Sequence, residues 1–487
     1  MTDGARTLGE LFPEADLDPE TAARPIAGLT ADSRAVAPGF VFAALAGAKT
    51  DGARFVGQAI EKGAVAILSE AAIEVPVPVV RFADARRELA LAAARLHPRQ
   101  PAVIAAVTGT SGKSSTVTFL RQIWAHAGHA AASLGTIGVT KPSGATYGSL
   151  TTPDPVSLHE TLDALAAEGV THLAMEASSH GLDQRRLDGV RLAAVAFGNL
   201  SRDHLDYHPT IHDYREAKLR LFRELAREGA GAVVWADGSD AFHFVKAARD
   251  RGLRLMTIGQ RGETLRLKSV VREGLGQRLE IAHEDGASHV VLPLAGAFQV
   301  ENALLAAGLA IATGVPRATA LEALESLEGV PGRLELVGEK NGAAVFVDYA
   351  HKPGALSSML GALRPFAEKR LIVVFGCGGD RDPGKRPMMG AIAVEQADAV
   401  IVTDDNPRSE DPAMIRAAIL AAAPGAREIG DRRAAIEAAI GEAEPGDVVV
   451  IAGKGHETGQ IVGDRTLPFS DHEVARAAIG AEGGPAS

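Results

Sequence analysis

Short apolar runs recur along this chain, separated by stretches in which apolar residues return every three or four positions. The runs at 103–107, 172–175, 193–197 and 232–235, and later at 371–375, 399–402 and 448–451, are continuous rather than alternating. A strand covered on both faces reads this way, and helices between such strands are the usual crossovers of a parallel sheet. The pattern predicts an α/β protein of doubly wound parallel sheets. Near the N-terminus, the runs from Gly39 to Ala46 and from Ala64 to Leu68 are set apart by glycines and predict a smaller α/β module. Proline- and glycine-punctuated stretches at 95–101 and 329–333 divide the chain into blocks 1–97, 98–331 and 332–487. A length of 487 residues fits about three domains.

Polar residues cluster where these runs stop, which is where open parallel sheets collect ligands. Glu176-Ala-Ser-Ser-His180, Asn199-Leu-Ser-Arg-Asp-His204, Gly378-Gly-Asp-Arg-Asp382, Asp404-Asp-Asn-Pro-Arg408 and Gly453-Lys-Gly-His-Glu457 all occupy such places. The most specific cluster is Val107-Thr-Gly-Thr-Ser-Gly-Lys-Ser-Ser115, between a strand and a helix. Gly109 and Gly112 let backbone N–H groups approach phosphate oxygens, Lys113 adds a point charge, and a hydroxyl at Ser114 or Ser115 can reach Mg2+. ATP is the expected ligand. The usual loop has a glycine where Val107 stands, so this is a shortened variant.

Composition narrows the classes. A net charge of −11 offers no global attraction to nucleic acid or to an anionic membrane, and neither partner is expected. The single cysteine, Cys377, excludes an internal disulfide and fits a reducing cytosol. No signal-like apolar core occurs from Met1 to Glu20, and no apolar run is long enough to span a bilayer, so a soluble cytoplasmic protein is expected.

Taken together, these residues resemble the Mur ligases, ATP-dependent enzymes that add amino acids to the peptidoglycan precursor. The resemblance spans essentially the whole chain. It rests on Asp32-Ser-Arg34, the phosphate loop, Thr151-Thr-Pro153, Glu176 to His180, Asn199 to His208, Tyr214-Arg-Glu-Ala-Lys218, Asn302, Pro331-Gly-Arg333, Asp348-Tyr-Ala-His351 and the two late clusters. It implies a UDP-binding N-terminal domain, a central ATPase domain and a C-terminal domain resembling a Rossmann fold.

The resemblance implies phosphoryl transfer from ATP to a D-glutamyl carboxylate, giving an acyl phosphate that an amine then attacks. On that reading Lys113, Glu176, His204 and Lys218 are catalytic, and Ser114, Glu176, His204 and Lys218 hold Mg2+. Lys218 then carries CO2 as a carbamate, which reverses its charge, whereas pattern alone reads it as a solvated helix lysine. Gly109, Thr110, Ser111, Gly112, Lys113, Ser114, Ser115, Asn302, Arg333, Asp348 and His351 match ATP-contacting positions. Ser33, Lys49, Thr151, Thr152, Ser178, Gln184 and Arg186 match positions that hold UDP-MurNAc-L-Ala-D-Glu. Two departures stand out: the family's loop usually has asparagine at Ser111, and Gln299 replaces the first asparagine of a helix start.

Asp405-Asn-Pro-Arg408 resembles the signature of members that add meso-diaminopimelate. This amino acid differs from lysine by a distal carboxylate, for which Arg381 and Arg408 are the candidate partners. Glu457 is a candidate for the distal ammonium, with Asp405, Asn406, Pro407 and Gly453 completing the pocket. A lysine-adding or folate polyglutamate ligase is the alternative among enzymes, and a nucleotide-dependent switch the alternative outside them. Arg408 and the N-terminal block speak against the first, the second polar site against the other. A monomer is expected.

Overall fold

The computed structural model describes residues 6–47, 51–146, 150–201, 203–204 and 207–480. Two compact units emerge, Met1–Leu267 with Leu304–Ala323, and Lys268–Ala303 with Leu324–Ser487. Among the described residues no helix is long and apolar enough to cross a membrane.

The first unit begins with a four-stranded parallel sheet, Gly28–Thr30, Phe40–Ala43, Ala64–Ser69 and Val79–Arg81, paired in that order. Helix Ala85–Leu96 starts where the Asp84 side chain accepts from the Arg87 N–H, and it buries Leu89, Ala92 and Ala93. These pack with Leu29, Val41 and Leu68 of the sheet. The unit's larger sheet holds six neighbouring strands in the order Ala131–Gly135, His172–Glu176, Val103–Thr108, Leu192–Phe197, Gly231–Trp235 and Arg254–Gly259, all parallel. Every residue of His172–Glu176 is buried, as a strand covered on both faces requires. Val103–Thr108 lies between strands reached by opposite crossovers, and its end is therefore the topological switch point. Register places Glu176 beside Val107 and Phe197 beside Thr108.

The second unit carries a sheet in the order Glu335–Lys340, Ala343–Asp348, Val448–Ala452, Leu371–Phe375, Ala399–Val402 and Arg427–Glu428. Its first pair is antiparallel and the rest are parallel. Separate cores fill its two faces, one around Phe346, Leu360, Val373 and Val450, the other around Val345, Val374, Ile436 and Val449. The doubly wound expectation holds. A hairpin of Gly276–His283 and Gly286–Leu292 was not anticipated. Helices Lys385–Gln396 and Pro412–Leu420 approach closely at Gly390, where a Cβ would stand 2.4 Å from the Ile419 carbonyl oxygen.

That contact yields a stability prediction. Alanine is favoured over glycine within a helix by about 1 kcal/mol, but backbone cannot yield to a Cβ as a flexible side chain can. Gly390→Ala is expected to destabilise by about 1–3 kcal/mol. The denaturant midpoint measures it, and an unchanged or raised midpoint contradicts it.

Candidate active site

The phosphate loop is clamped from the neighbouring strand. Thr110 N–H donates to the Asn199 carbonyl at 2.9 Å, and Ser111 donates to Asn199 Oδ1 from both its N–H and its hydroxyl, at 3.1 and 3.2 Å. Serine at position 111 thus still serves the loop. Gly112 takes a left-handed φ of 80° and opens helix Lys113–His126 with no side-chain cap, leaving the helix N-terminus to an anion. Lys113 Nζ donates to the Gly109 and Thr110 carbonyls at 3.0 and 2.9 Å.

Ser114 hydroxyl donates to Glu176 Oε1 at 2.9 Å, and Thr136 N–H donates to the same oxygen at 2.8 Å. Thr136 hydroxyl reaches Glu176 Oε2 at 3.3 Å. Glu176 is buried, and a Cβ on Gly135 would lie 2.0 Å from its Oε1, so only glycine leaves room for this carboxylate.

Lys218 is 1% exposed, on helix Ile211–Arg220, which starts in a capping box between Thr210 and Asp213. The expectation of a solvated lysine from pattern alone fails because this face of the helix packs onto the loop. Its Nζ donates to the Gly109 carbonyl at 2.8 Å and lies 4.4 Å from the Tyr214 ring centroid. Burial, reinforced by nearby Lys113 and opposed by Asp203, drives its pKa well below the usual lysine range. Tyr214, whose hydroxyl donates to Thr110 Oγ1 at 3.3 Å, is pushed up to about 12, first by burial.

The expected metal set is only partly assembled. Ser114 joins Glu176 and Lys218 joins Gly109. His204, at a left-handed φ of 54°, instead lies against the His180 and Tyr214 rings at 5.0 and 5.9 Å. Among the described residues no three His, Cys, Asp or Glu side chains are grouped to hold a metal.

Most of the expected UDP-substrate residues form one network. Thr152 hydroxyl donates to the Glu176 carbonyl, Ser178 donates to Thr152 Oγ1 from its N–H and hydroxyl, and Arg186 Nη1 donates to the Thr152 carbonyl. Arg186 also holds Gln184 Oε1, Gln184 Nε2 donates to the Tyr207 hydroxyl, and Thr151 shares a hydrogen bond with Thr136. Ser33 stands elsewhere, buried and donating to Gln58 Oε1. Lys49 lies outside the described residues. Thr136, Asn199 and Tyr207 were not among the expected site residues. Thr136 follows a strand end in Gly135-Thr-Ile-Gly138, so the same strand-end rule could have found it.

In the second unit, Asp348 Oδ2 accepts from Leu334 N–H and Oδ1 from Ala350 N–H, both at 2.7 Å. Burial raises its pKa and Arg333 opposes. The Arg333 guanidinium lies 4.8 Å from the Tyr349 ring centroid, and His351 Nδ1 meets the Tyr349 carbonyl at 2.8 Å, where it must donate. Burial lowers the His351 pKa. Gln299 accepts from Asn302 Nδ2 and donates to the Arg333 carbonyl, so the substituted residue links the two.

Arg408 takes a left-handed φ of 53°, is half-buried, and donates from Nη1 to the Gly379 and Asn406 carbonyls at 2.8 and 3.4 Å. Pro407 and Asp405 are buried, while Arg381 is exposed. Glu457 Oε2 accepts from Asn406 Nδ2 at 2.9 Å and from Lys454 Nζ at 3.3 Å. Gly453 has a φ of 123°, and a Cβ there would stand 2.5 Å from Asp405 Oδ2. Lys454, Arg432 and Asp471 were missed. Arg432 and Asp471 pair at 2.7 Å, fully buried, and Arg432 donates to the Asp404 and Ala452 carbonyls.

Fold and loop together define a phosphate-binding α/β protein. Residues 25–103 match the Mur ligase family, catalytic domain; residues 107–310 match the Mur ligase middle domain; residues 332–455 match the Mur ligase, glutamate ligase domain. The chain belongs to the Mur ligase family. It is 60% identical over 471 residues to the UDP-N-acetylmuramoyl-L-alanyl-D-glutamate–2,6-diaminopimelate ligase of Bradyrhizobium diazoefficiens, covering 96% of this chain and 97% of that protein. The Zymomonas mobilis protein of the same name is 47% identical, covering 98% of this chain and all of the other. A solved structure of a ligase of that name has a TM-score of 0.75 at 34% identity, covering 98% and 99% of the two chains. A folylpolyglutamate synthase from Thermotoga maritima, at 20% identity and a TM-score of 0.61 over 76% of this chain and 89% of its own, shares the fold.

The contact between Gly135 and Glu176 can be tested. In Gly135→Ala the new Cβ must displace the carboxylate from Ser114 and Thr136. Turnover is expected to fall about 100-fold, as when one preorganised polar group is lost from a reacting site, with an unchanged far-ultraviolet dichroism spectrum. Near-normal turnover would mean the Glu176 position is not needed.

Proposed function

We propose that this protein is an ATP-dependent ligase that joins meso-2,6-diaminopimelate to UDP-MurNAc-L-Ala-D-Glu through an acyl phosphate. The Ser114–Glu176 contact at the mouth of the phosphate loop carries this reading, because it puts metal-type oxygen donors beside an uncapped helix N-terminus and Lys113. An amide cannot form by expelling oxide from a carboxylate. Phosphorylation converts that oxygen into a leaving group, and the amine then attacks the acyl carbon. Approach of the two anions requires positive charge fixed in advance, which Lys113 and the loop N–H groups supply. ATP use agrees with an ADP complex of the structurally similar MurF ligase of Thermotoga maritima.

Mg2+ suits this hard-oxygen donor set, with Ser114 and Glu176 as the residues that would hold it. It would neutralise phosphate charge. An ammonium at Lys218 does not fit beside a cation, whereas a carbamate does. Burial, the main cause of its lowered pKa, favours the neutral amine that the reaction needs. Its nitrogen attacks CO2, an N–C bond forms, one C=O electron pair moves to oxygen, and the amine proton leaves to solvent. His204, against the His180 and Tyr214 rings, is the remaining candidate for this set.

Arg408 is proposed to take the distal carboxylate and Glu457 the distal ammonium, with Arg381 exposed beyond them. We further propose a cytoplasmic, monomeric protein whose blocks 1–97, 98–331 and 332–487 handle the UDP-substrate, ATP and the amino acid. Incubation with ATP, UDP-MurNAc-dipeptide and equal meso-diaminopimelate and lysine tests the whole reading. The expected product mass is that of the diaminopimelate tripeptide; a lysine product, or ATP hydrolysis without an amide, contradicts it.

Lys218→Ala should abolish turnover, and short carboxylates should restore part of it by filling the vacated anionic position. If carboxylates restore nothing while Lys218→Arg is active, the carbamate is wrong. Arg408→Ala strands the distal carboxylate at a cost of roughly 2–5 kcal/mol, or about 30- to 4,000-fold in kcat/KM for meso-diaminopimelate. Lysine should lose far less, so the ratio of the two kcat/KM values narrows. An equal loss on both substrates would remove Arg408 from selectivity.

A further inference from the structure

Lys454 has no exposed side-chain surface, and a buried ammonium must be matched by acceptors. Its Nζ donates to Asn406 Oδ1 at 2.9 Å and to Glu457 Oε2 at 3.3 Å. Asn406 closes the triangle by donating from Nδ2 to the same Glu457 oxygen at 2.9 Å, and its Oδ1 also accepts from Ile461 N–H. Glu457 is therefore held by one oxygen only. Its Oε1 accepts no hydrogen bond among the described residues, and its side chain is 34% exposed. Of the neighbouring charges, Lys454 pairs with Glu457 and Arg432 pairs with Asp471 at 2.7 Å. Arg432 and Asp471 satisfy each other, and Arg432 makes no hydrogen bond to Glu457 among the described residues.

We propose that Lys454 is a positioning residue that sets the demand for a distal ammonium: by occupying Asn406 and Glu457 Oε2, it leaves Oε1 as the one acceptor offered to that group. The inference rests on the amino-acid pocket proposed above. A mobile, doubly available carboxylate would bind an ammonium in many geometries and discriminate weakly. A tethered one accepts it in one place. Lys454 touches neither ATP nor the acyl carbon in this role, so its effect belongs in the amino-acid KM and not in kcat.

The test compares meso-diaminopimelate with 2-aminopimelate, which keeps the distal carboxylate and lacks the distal ammonium. Wild-type enzyme is expected to prefer meso-diaminopimelate by about 10-fold or more, the size of one charge-assisted hydrogen bond. Lys454→Met should cut kcat/KM for meso-diaminopimelate about 10-fold or more, mainly through KM, and leave 2-aminopimelate and the KM for ATP within about twofold. Equal losses on both amino acids overturn the proposal, since a merely structural residue acts so. No preference in the wild type instead overturns the pocket reading itself. If Lys454→Met does not fold, Lys454→Gln, which keeps a donor for Asn406 without charge, is judged by the same ratio. A crystal structure of the wild type with meso-diaminopimelate decides independently: the ammonium on Oε1 with the Lys454 contact intact supports the proposal, and an ammonium that replaces Lys454 at Oε2 overturns it.

Discussion

Two lysines donate into one carbonyl oxygen, that of Gly109, at 3.0 Å from Lys113 and 2.8 Å from Lys218. Like charges directed at one oxygen repel each other, which adds to the larger effect of burial on Lys218. One of the two protons is therefore held weakly. Lys218 is the buried member, so it yields. The Tyr214 ring lies under it, and the helix that carries it is anchored by a capping box at Thr210 and Asp213. Lys113 stands at the start of the helix whose N-terminus carries no side-chain cap.

Parallel register delivers the rest of this site. Glu176 sits beside Val107 because the strand ending in Glu176 is in step with the strand leading into the loop, and Asn199 reaches the loop from the other neighbouring strand. Thr136 comes from one strand further out. Adjacent parallel strands are only about 4.8 Å apart, so side chains from their ends crowd one another. The absence of a side chain at Gly135 is the price of placing a carboxylate there. The second unit repeats the plan, with Asp348, the Gly378 turn, Asp405 and Gly453 at or just past the ends of its parallel strands.

Strand positions and strand-end clusters were legible because both follow from covalent order: an apolar run and the polar residues after it are neighbours in the chain. Burial of a lysine is not of that kind. Lys218 becomes buried through Gly109, 109 residues away, and Lys454 through Asn406, 48 residues away. Helical periodicity tells which residues share a face, not which face meets the loop. The hairpin Gly276–His283 and Gly286–Leu292 escaped for a related reason: its strands are mostly polar or half-exposed and offer no continuous apolar run.

Hydrogen-bond capacity narrows what the amino-acid pocket can do. Asn406 Oδ1 already accepts from Lys454 and Ile461, and its Nδ2 already serves Glu457, so its amide orders the pocket and has little left for a ligand. Arg408 differs. A guanidinium has five N–H donors, and among the described residues its Nη1 alone is committed, to the Gly379 and Asn406 carbonyls. That leaves the Nε–Nη2 edge, the planar pair that matches a carboxylate in two parallel hydrogen bonds. Fixing one corner of the fork on backbone lowers the rotamer entropy still to be lost on binding. In the proposed amino-acid pocket, selectivity rests on two tethered charges of opposite sign, each with one side already occupied by the protein.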